Sequence, residues 1–124
     1  MNLKEYFENT KGIGVISTAG GDGRVDTAIY ARPHVMEDGL LAFIMRDRVT
    51  YTNIQANPHA AYLFKEEGSG YQGKRLYLTK VKEEEDTEII ESLRRRSYLS
   101  DKDSEESKFL VYFKVDRERP LIGD

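Results

Sequence analysis

The sequence contains no cysteine and no tryptophan, and its only histidines are His34 and His59. The lack of cysteine excludes disulfides, iron–sulfur clusters, thiol nucleophiles and zinc sites built on thiolates. Two isolated histidines also make a histidine-based metal centre an unfavourable interpretation, so we expect no metal site. No apolar run approaches the ~20 residues that a membrane-spanning helix needs, so we expect no membrane association.

Length and charge limit the remaining classes of protein. The 124 residues suit a single domain over 1–124, and a chain of this size can bury a core without metal or disulfide support. A net charge of −3 argues against nucleic acid as a partner, because a phosphate backbone requires clustered positive charge. The first five residues lack the apolar core of a signal peptide. We therefore expect a cytoplasmic protein.

Short apolar segments separated by glycine-rich turns predict a mainly β domain. The patterns predict helices over 1–11, 49–56 and 86–96, and strands over 13–18, 24–36, 40–45, 59–65, 71–82 and 109–115. Pro33 has no N–H for a strand ladder, so we expect the strand over 24–36 to bend or break there. Six antiparallel strands with small peripheral helices indicate a barrel.

The segment from Ile44 to Ile54 is the most informative part of the sequence, because a strand ends, two arginines appear and a short helix begins. The N–H groups at a helix start lack intrahelical acceptors, and the helix dipole favours an anion there. Arg46 and Arg48 can each grip a phosphate with two nitrogens, and Thr50 can donate its hydroxyl. The alternative is that Asp47 caps the helix while the arginines pair with surface acids.

Two other segments allow both a functional and a plain structural interpretation. Strand alternation places Tyr30, Arg32 and His34 on one face, which either lines a pocket or faces solvent. Lys74 and Arg75 either form a second wall of an anion site or discourage edge-to-edge aggregation of strands. The sequence shows no phosphate loop, dinucleotide fingerprint or catalytic triad, so the catalytic residues are unknown.

The order of these parts resembles the flavin-binding split-barrel family related to pyridoxamine 5′-phosphate oxidase. The resemblance covers roughly residues 5–115 and is most specific over 40–58, where an apolar strand, a basic turn and a short helix ending in NIQANP follow one another. The first hairpin, with its Gly-Asp-Gly turn, and the long second strand agree with it. The resemblance implies a six-stranded antiparallel split β-barrel, a homodimer and FMN as the cofactor.

The resemblance also implies which residues contact the cofactor. The positions carried over are Ala28, Ile29 and Tyr30 beside the isoalloxazine ring, Ile44 and Met45 at the end of the third strand, Arg46, Arg48 and Thr50 at the phosphate, and Arg75, which reaches the flavin from the other subunit. Many members of the family have lysine where this chain has Thr50. The candidate cofactor-binding set is completed by Arg32, Asp47 and Asn53.

A flavin would explain the missing catalytic residues, because flavin chemistry is largely the cofactor's own. The resemblance implies an FMN-binding flavoprotein that acts as an oxidoreductase or electron carrier on an unidentified small molecule or redox partner. A flavin-binding or sensing domain without turnover, and a deazaflavin-dependent reductase of the same barrel, are the alternatives. Full-length vitamin B6 oxidases use a C-terminal extension with tryptophan and arginine, which this sequence lacks, so pyridoxamine phosphate oxidation is not expected.

Overall fold

The computed structural model describes residues 2–85, 87–93 and 108–123, which form one curled antiparallel sheet with three short helices. The helices are α1 (Leu3–Asn9), α2 (Val49–Ala56) and α3 (Thr87–Leu93). The strands are β1 (Gly12–Ala19), β2 (Val25–Tyr30), β3 (His34–Val35), β4 (Leu41–Arg46), β5 (His59–Glu66), β6 (Gly73–Glu84) and β7 (Lys108–Pro120). Their order in the sheet is β2-β1-β5-β6-β7-β4-β3. The expected mainly β, antiparallel fold is thus confirmed.

Within the described ranges the sheet has seven strands rather than the predicted six, because the stretch over 24–36 forms two strands. β2 ends at Tyr30 and β3 begins at His34. Pro33 lies between them, is buried, and has no N–H to donate to a ladder. β2 pairs with β1 at one edge of the sheet, whereas β3 pairs with β4 at the other. The break therefore carries the chain from one edge of the sheet to the opposite edge.

Aromatic side chains from both halves of the sheet fill its interior. Phe43 of β4 lies 5.0 Å from Tyr62 of β5 and 5.8 Å from Phe113 of β7, measured between ring centroids. Phe7 of α1 packs edge-on against Phe64 at 5.3 Å. In β5 the even-numbered side chains from 60 to 64 are buried while the neighbouring ones are more exposed, which is the period-2 pattern of a strand with one covered face.

A smaller apolar cluster lies on the opposite face of β4 and β7, under α3. Ile90 of α3 packs there with Ala42, Leu110 and Tyr112. The sequence predicts this helix over 86–96; the structure has it over Thr87–Leu93, and residues 86 and 94–96 lie outside the described part of the chain. None of the helices among the described residues has the length and apolar character needed to cross a membrane.

Candidate functional site

A groove of about 440 Å³ runs along the gap between the two edges of the sheet. This volume falls within the roughly 300–1,000 Å³ that is common for small-molecule sites. We call it the seam groove; it is lined by Asp26, Ala28–Arg32, His34, Ala42–Ile44, Arg46 and Arg48–Thr50. β2 and the link after it form one wall, and β4 with the start of α2 forms the other.

The wall formed by β2 offers backbone groups as well as side chains. β2 is an edge strand of the sheet and, among the described residues, pairs only with β1. The N–H and C=O groups on its other edge therefore have no ladder partner among the described strands, and residues of this edge line the groove. The apolar part of the site lies next to this edge, with Ala28 and Ile29 on β2 and Ile44 on β4.

The end of β2 is held in place by Tyr62 from the interior. The Tyr62 hydroxyl donates to the carbonyl oxygens of Tyr30 at 3.1 Å and Ala31 at 3.2 Å. A side chain at Gly14 would collide with this hydroxyl, so glycine leaves the room that Tyr62 occupies. A glycine on β1 and a tyrosine on β5 thus fix the strand edge that borders the groove.

The cationic end of the seam groove lies where β4 passes into α2. Arg46 and Arg48 line it, together with Thr50, which is only 5% exposed. The N-cap of α2 is Arg48, in an extended conformation, and no side chain in the described part of the chain caps the helix there. Asp47 is therefore not the cap that the alternative interpretation requires. The first-turn N–H groups remain available to an anion.

Tyr30 brings a neutral hydroxyl to this same end. Its phenol and the Thr50 side chain both line this end and interact there. Burial raises the pKa of Tyr30, while the interaction with Thr50 and the charges of Arg46 and Arg48 partly oppose that rise, and the charge of Asp26 adds to it. The phenol therefore keeps its proton and can donate a hydrogen bond at neutral pH. Two cations, one carboxylate and two hydroxyls share this end of the groove.

The row of Tyr30, Arg32 and His34 lines the seam groove, as the pocket interpretation of the sequence requires. The three residues do not lie on one face of one strand, however, because the chain breaks at Pro33. Tyr30 packs against the interior core, whereas His34 pairs with Ala42 on the face that α3 covers. The groove therefore collects side chains from two strands and from the link between them.

Arg32 has a structural connection besides its place in the groove. Its Nη1 donates to the carbonyl oxygens of Phe7 at 2.7 Å and Thr10 at 2.8 Å. These carbonyls lie at the C-terminal end of α1, where helix carbonyls lack intrahelical partners and attract cations. Arg32 thus joins the link after β2 to α1.

Some predicted contact residues lie away from the groove of this chain. Met45 is 0% exposed and packs in the interior, because β4 directs its odd-numbered side chains inward. Asn53, on α2, donates through Nδ2 to the Thr18 hydroxyl at 3.1 Å and so joins the helix to β1. Asp47 is exposed in the turn before α2 and is not among the residues that line the groove.

Arg75 is also distant from the seam groove of its own chain. Its guanidinium donates to the backbone carbonyls of Pro120 and Gly123. The neighbouring Lys74 lies 3.0 Å from a Glu118 carboxylate oxygen, with its Nζ 4.7 Å from the ring centroid of Tyr6. In this chain the two cations join β6 to the end of β7 and to α1.

Sequence reasoning missed several lining residues. Asp26, Phe43 and Val49 all border the groove. Asp26 was detectable, because strand alternation puts it on the same face of β2 as Ala28 and Tyr30. Val49 was detectable as the first residue of the helix predicted over 49–56. In the structure it begins α2 and is 57% exposed.

A polar network anchors α2, and with it the cationic end of the groove. Glu83 of β6 accepts hydrogen bonds from the Tyr51 hydroxyl at 2.5 Å, the Gln55 amide at 2.7 Å and the Lys80 ammonium at 2.5 Å. The Tyr51 ring stacks on Phe109, with 4.1 Å between centroids and 8° between planes. The sequence predicts a solvated acidic run over 83–86, and Glu83 departs from that prediction because β6 continues to Glu84.

Solved structures of other proteins share this fold. An FMN-binding protein from Syntrophomonas wolfei matches with a TM-score of 0.76 at 14% identity, over 98% of this chain and 84% of that one. An F420 reductase matches with a TM-score of 0.70 at 18% identity, over 96% and 98%. A proposed pyridoxamine 5′-phosphate oxidase from Listeria innocua matches at 0.65 and 19% identity, over 97% and 98%. No family model and no curated protein matches the sequence.

These similarities establish the architecture of the chain as a split barrel. The match extends over nearly the whole chain, so it includes both edges of the sheet and the helices beside the seam. The resemblance inferred from the sequence is thereby confirmed at the level of the fold.

Proposed function

We propose that the protein is a homodimeric flavoprotein that binds FMN in the seam groove and acts as an oxidoreductase or electron carrier. The observation that carries this proposal is the division of the groove into a cationic end and an apolar slot beside an unpaired strand edge. FMN has the matching parts, because a polyol chain joins its dianionic phosphate to a planar ring.

The cationic end suits the phosphate of FMN. Arg46 and Arg48 offer paired N–H donors, and Thr50 and the first turn of α2 add a hydroxyl and backbone N–H groups. The apolar slot begins beside Ile44 and reaches Ala42. At ~3.3 Å per residue, the stretch of β4 from Ala42 to Arg46 spans about 13 Å, which is room for a ring and an extended chain.

The slot suits the isoalloxazine ring in two ways. Ala28 and Ile44 offer apolar contacts, and Ala28 is small enough to let a flat ring approach the backbone. The unpaired edge of β2 offers alternating N–H and C=O groups, which complement the amide-like N–H and C=O groups of the ring. Bound FMN would supply hydride or electron transfer. The chain's own contribution is to orient the ring, exclude water and hold the proton of the Tyr30 phenol.

A second copy of the chain completes the proposal, because the groove is open beside two exposed apolar side chains. Ile29 is 78% exposed and Val49 is 57% exposed. Ile29 also begins a row across the outer face of the sheet, in which it pairs with Val15, Val15 pairs with Leu63, and Leu63 pairs with Arg75. A twofold partner seated on this row would cover the apolar residues and bring its own Arg75 toward the site.

The proposal is tested by the chromophore of the purified protein and by titration with FMN. We expect a yellow protein whose denaturation releases FMN, identified by mass. Arg46→Ala and Arg48→Ala should each weaken FMN binding by about 10- to 100-fold, because each removes a charge-assisted contact worth about 1.5–3 kcal/mol. Arg24→Ala is the matched control, since Arg24 is an exposed arginine in the first hairpin turn, with its side chain 92% exposed.

Other outcomes decide against parts of the proposal. A protein that stays colourless in excess FMN contradicts it altogether. Release of a deazaflavin would assign the groove to a reductase of the alternative class. Bound FMN that no nicotinamide donor or cell extract reduces would indicate a binding or sensing domain without turnover.

A further inference from the structure

The carboxylate of Asp26 lies in a site that otherwise attracts anions. Asp26 faces the seam groove from β2 and is half-buried, opposite Thr18 of β1. Thr18 accepts a hydrogen bond from Asn53 of α2, so Asp26 lies on the part of β2 that is next to the helix at the cationic end of the groove. A carboxylate in this place weakens the attraction for a bare phosphate ion.

Among the described residues, no side chain donates a hydrogen bond to the carboxylate. Over residues 2–85, 87–93 and 108–123, no side-chain hydrogen bond or ion pair involves Asp26. Carboxylate oxygens accept hydrogen bonds, so they pair with groups that donate them. A phosphate dianion supplies no donor. Hydroxyl groups do, and they carry no charge that the carboxylate would repel.

We propose that Asp26 selects ligands in which the phosphate is attached to a polyol, by accepting hydrogen bonds from hydroxyl groups next to the phosphate. The arginines hold the phosphate, and the carboxylate binds the chain that follows it. This inference rests on the proposed function and makes it more specific, because the ribityl chain of FMN carries such hydroxyls. It makes Asp26 a determinant of specificity rather than a catalytic residue.

The test compares three probes on the wild-type protein and on Asp26→Ala and Asp26→Asn. The probes are FMN, ribitol 5-phosphate and inorganic phosphate, and binding is followed by fluorescence for FMN and by amide chemical shifts of α2 for the colourless probes. Glu67→Gln is the matched control, because it removes an exposed negative charge outside the seam groove.

Opposite effects on the probes are expected. Asp26→Ala should weaken FMN and ribitol 5-phosphate by about tenfold or more, through the loss of hydrogen bonds to a charged acceptor. The same variant should bind inorganic phosphate as well as or better than the wild type, because a repulsive charge is gone. Asp26→Asn should fall between, since its amide oxygen still accepts.

Two other patterns overturn the inference, and a third separates it from the proposed function. If both Asp26 variants bind FMN and ribitol 5-phosphate more tightly, the carboxylate is only repulsive. If all three probes weaken equally, Asp26 only supports the structure of the groove. If the wild type prefers ribitol 5-phosphate to inorganic phosphate in an Asp26-dependent manner but does not bind FMN, the proposed function fails while the role of Asp26 stands.

Discussion

Glu83 is a residue whose role follows from its three-dimensional surroundings rather than from its neighbours in the chain. It lies in a run of acids, which in sequence indicates a solvated surface. In the structure it accepts hydrogen bonds from Tyr51, Gln55 and Lys80. Burial acts to raise the pKa of Glu83, but these hydrogen bonds and the charge of Lys80 outweigh burial and lower the pKa below its ordinary value of 4.5.

The lowered pKa of Glu83 predicts a pH-dependent loss of stability. Its contribution is fully present above the ordinary pKa of 4.5 and disappears as the pH falls through the lower pKa of the folded protein. Glu83→Gln should therefore reduce the free energy of unfolding by about 1–2 kcal/mol at pH 7. Urea unfolding at several pH values should show the gap to the wild type closing below pH 4.5. Glu67→Gln should show no such gap, and a constant gap for Glu83→Gln would contradict the prediction.

At the scale of secondary-structure elements, sequence patterns predicted the bounds of an element where neighbouring residues determine those bounds. The helix over Val49–Ala56 has the predicted bounds, because Asn57-Pro58 stops it whatever packs around it. The strand over 24–36 was harder to divide. Its sequence marks a break at Pro33, but nothing local shows that His34 pairs with β4 at the opposite edge of the sheet. That pairing depends on the curl of the whole sheet.

The anchoring of α2 gives a prediction at this scale. Ile54 is 2% exposed and joins the helix to the interior core. Ile54→Ala should lower the free energy of unfolding by about 2–5 kcal/mol, through lost burial and the cavity left behind. Since α2 carries Thr50 and the first-turn N–H groups, binding of FMN should weaken as well. Thermal unfolding and FMN titration measure both effects.

A matched variant distinguishes burial from a general effect of substitution in α2. Thr52 lies on the exposed side of the same helix. Thr52→Ala should leave both stability and FMN affinity close to those of the wild type. Equal losses of stability and FMN affinity for Thr52→Ala and Ile54→Ala would contradict the prediction, because any substitution in α2 would then have the same effect as removing the buried side chain.

At the scale of the whole molecule, the candidate site was predictable where it follows strand alternation and the turn after β4. Arg46 and Arg48 were found from charge next to a helix start, and Ala28 and Tyr30 from the resemblance. The sequence did not distinguish Met45 from Ile44, because a shift of one residue in the register of β4 decides which of the two side chains faces the groove. The proposed contact of Arg75 with the cofactor requires a second chain, which a single sequence does not position.

The proposed dimer gives the prediction at this scale. Leu63 is 39% exposed in the middle of the apolar row on the outer face of the sheet. We expect the wild type to sediment as a dimer at micromolar concentration and Leu63→Glu to sediment as a monomer with weaker FMN binding. Val81→Glu is the control, because Val81 is 51% exposed on β6 beyond its pairing with β5. A monomeric wild type, or a dimeric Leu63→Glu, would contradict the prediction.

The chain crosses from one edge of the sheet to the other through only three residues, Ala31 to Pro33. A ligand bound in the gap beside that crossing would contact both walls, which no backbone pairing joins within the described residues. Backbone amides of Ala28 to Tyr30 should then exchange with deuterium markedly more slowly in the loaded protein, while those of β6, distant from the gap, keep their rate. Mass spectrometry of peptides from the two strands would measure the difference, and equal slowing everywhere would mean that the occupant tightens the whole barrel instead.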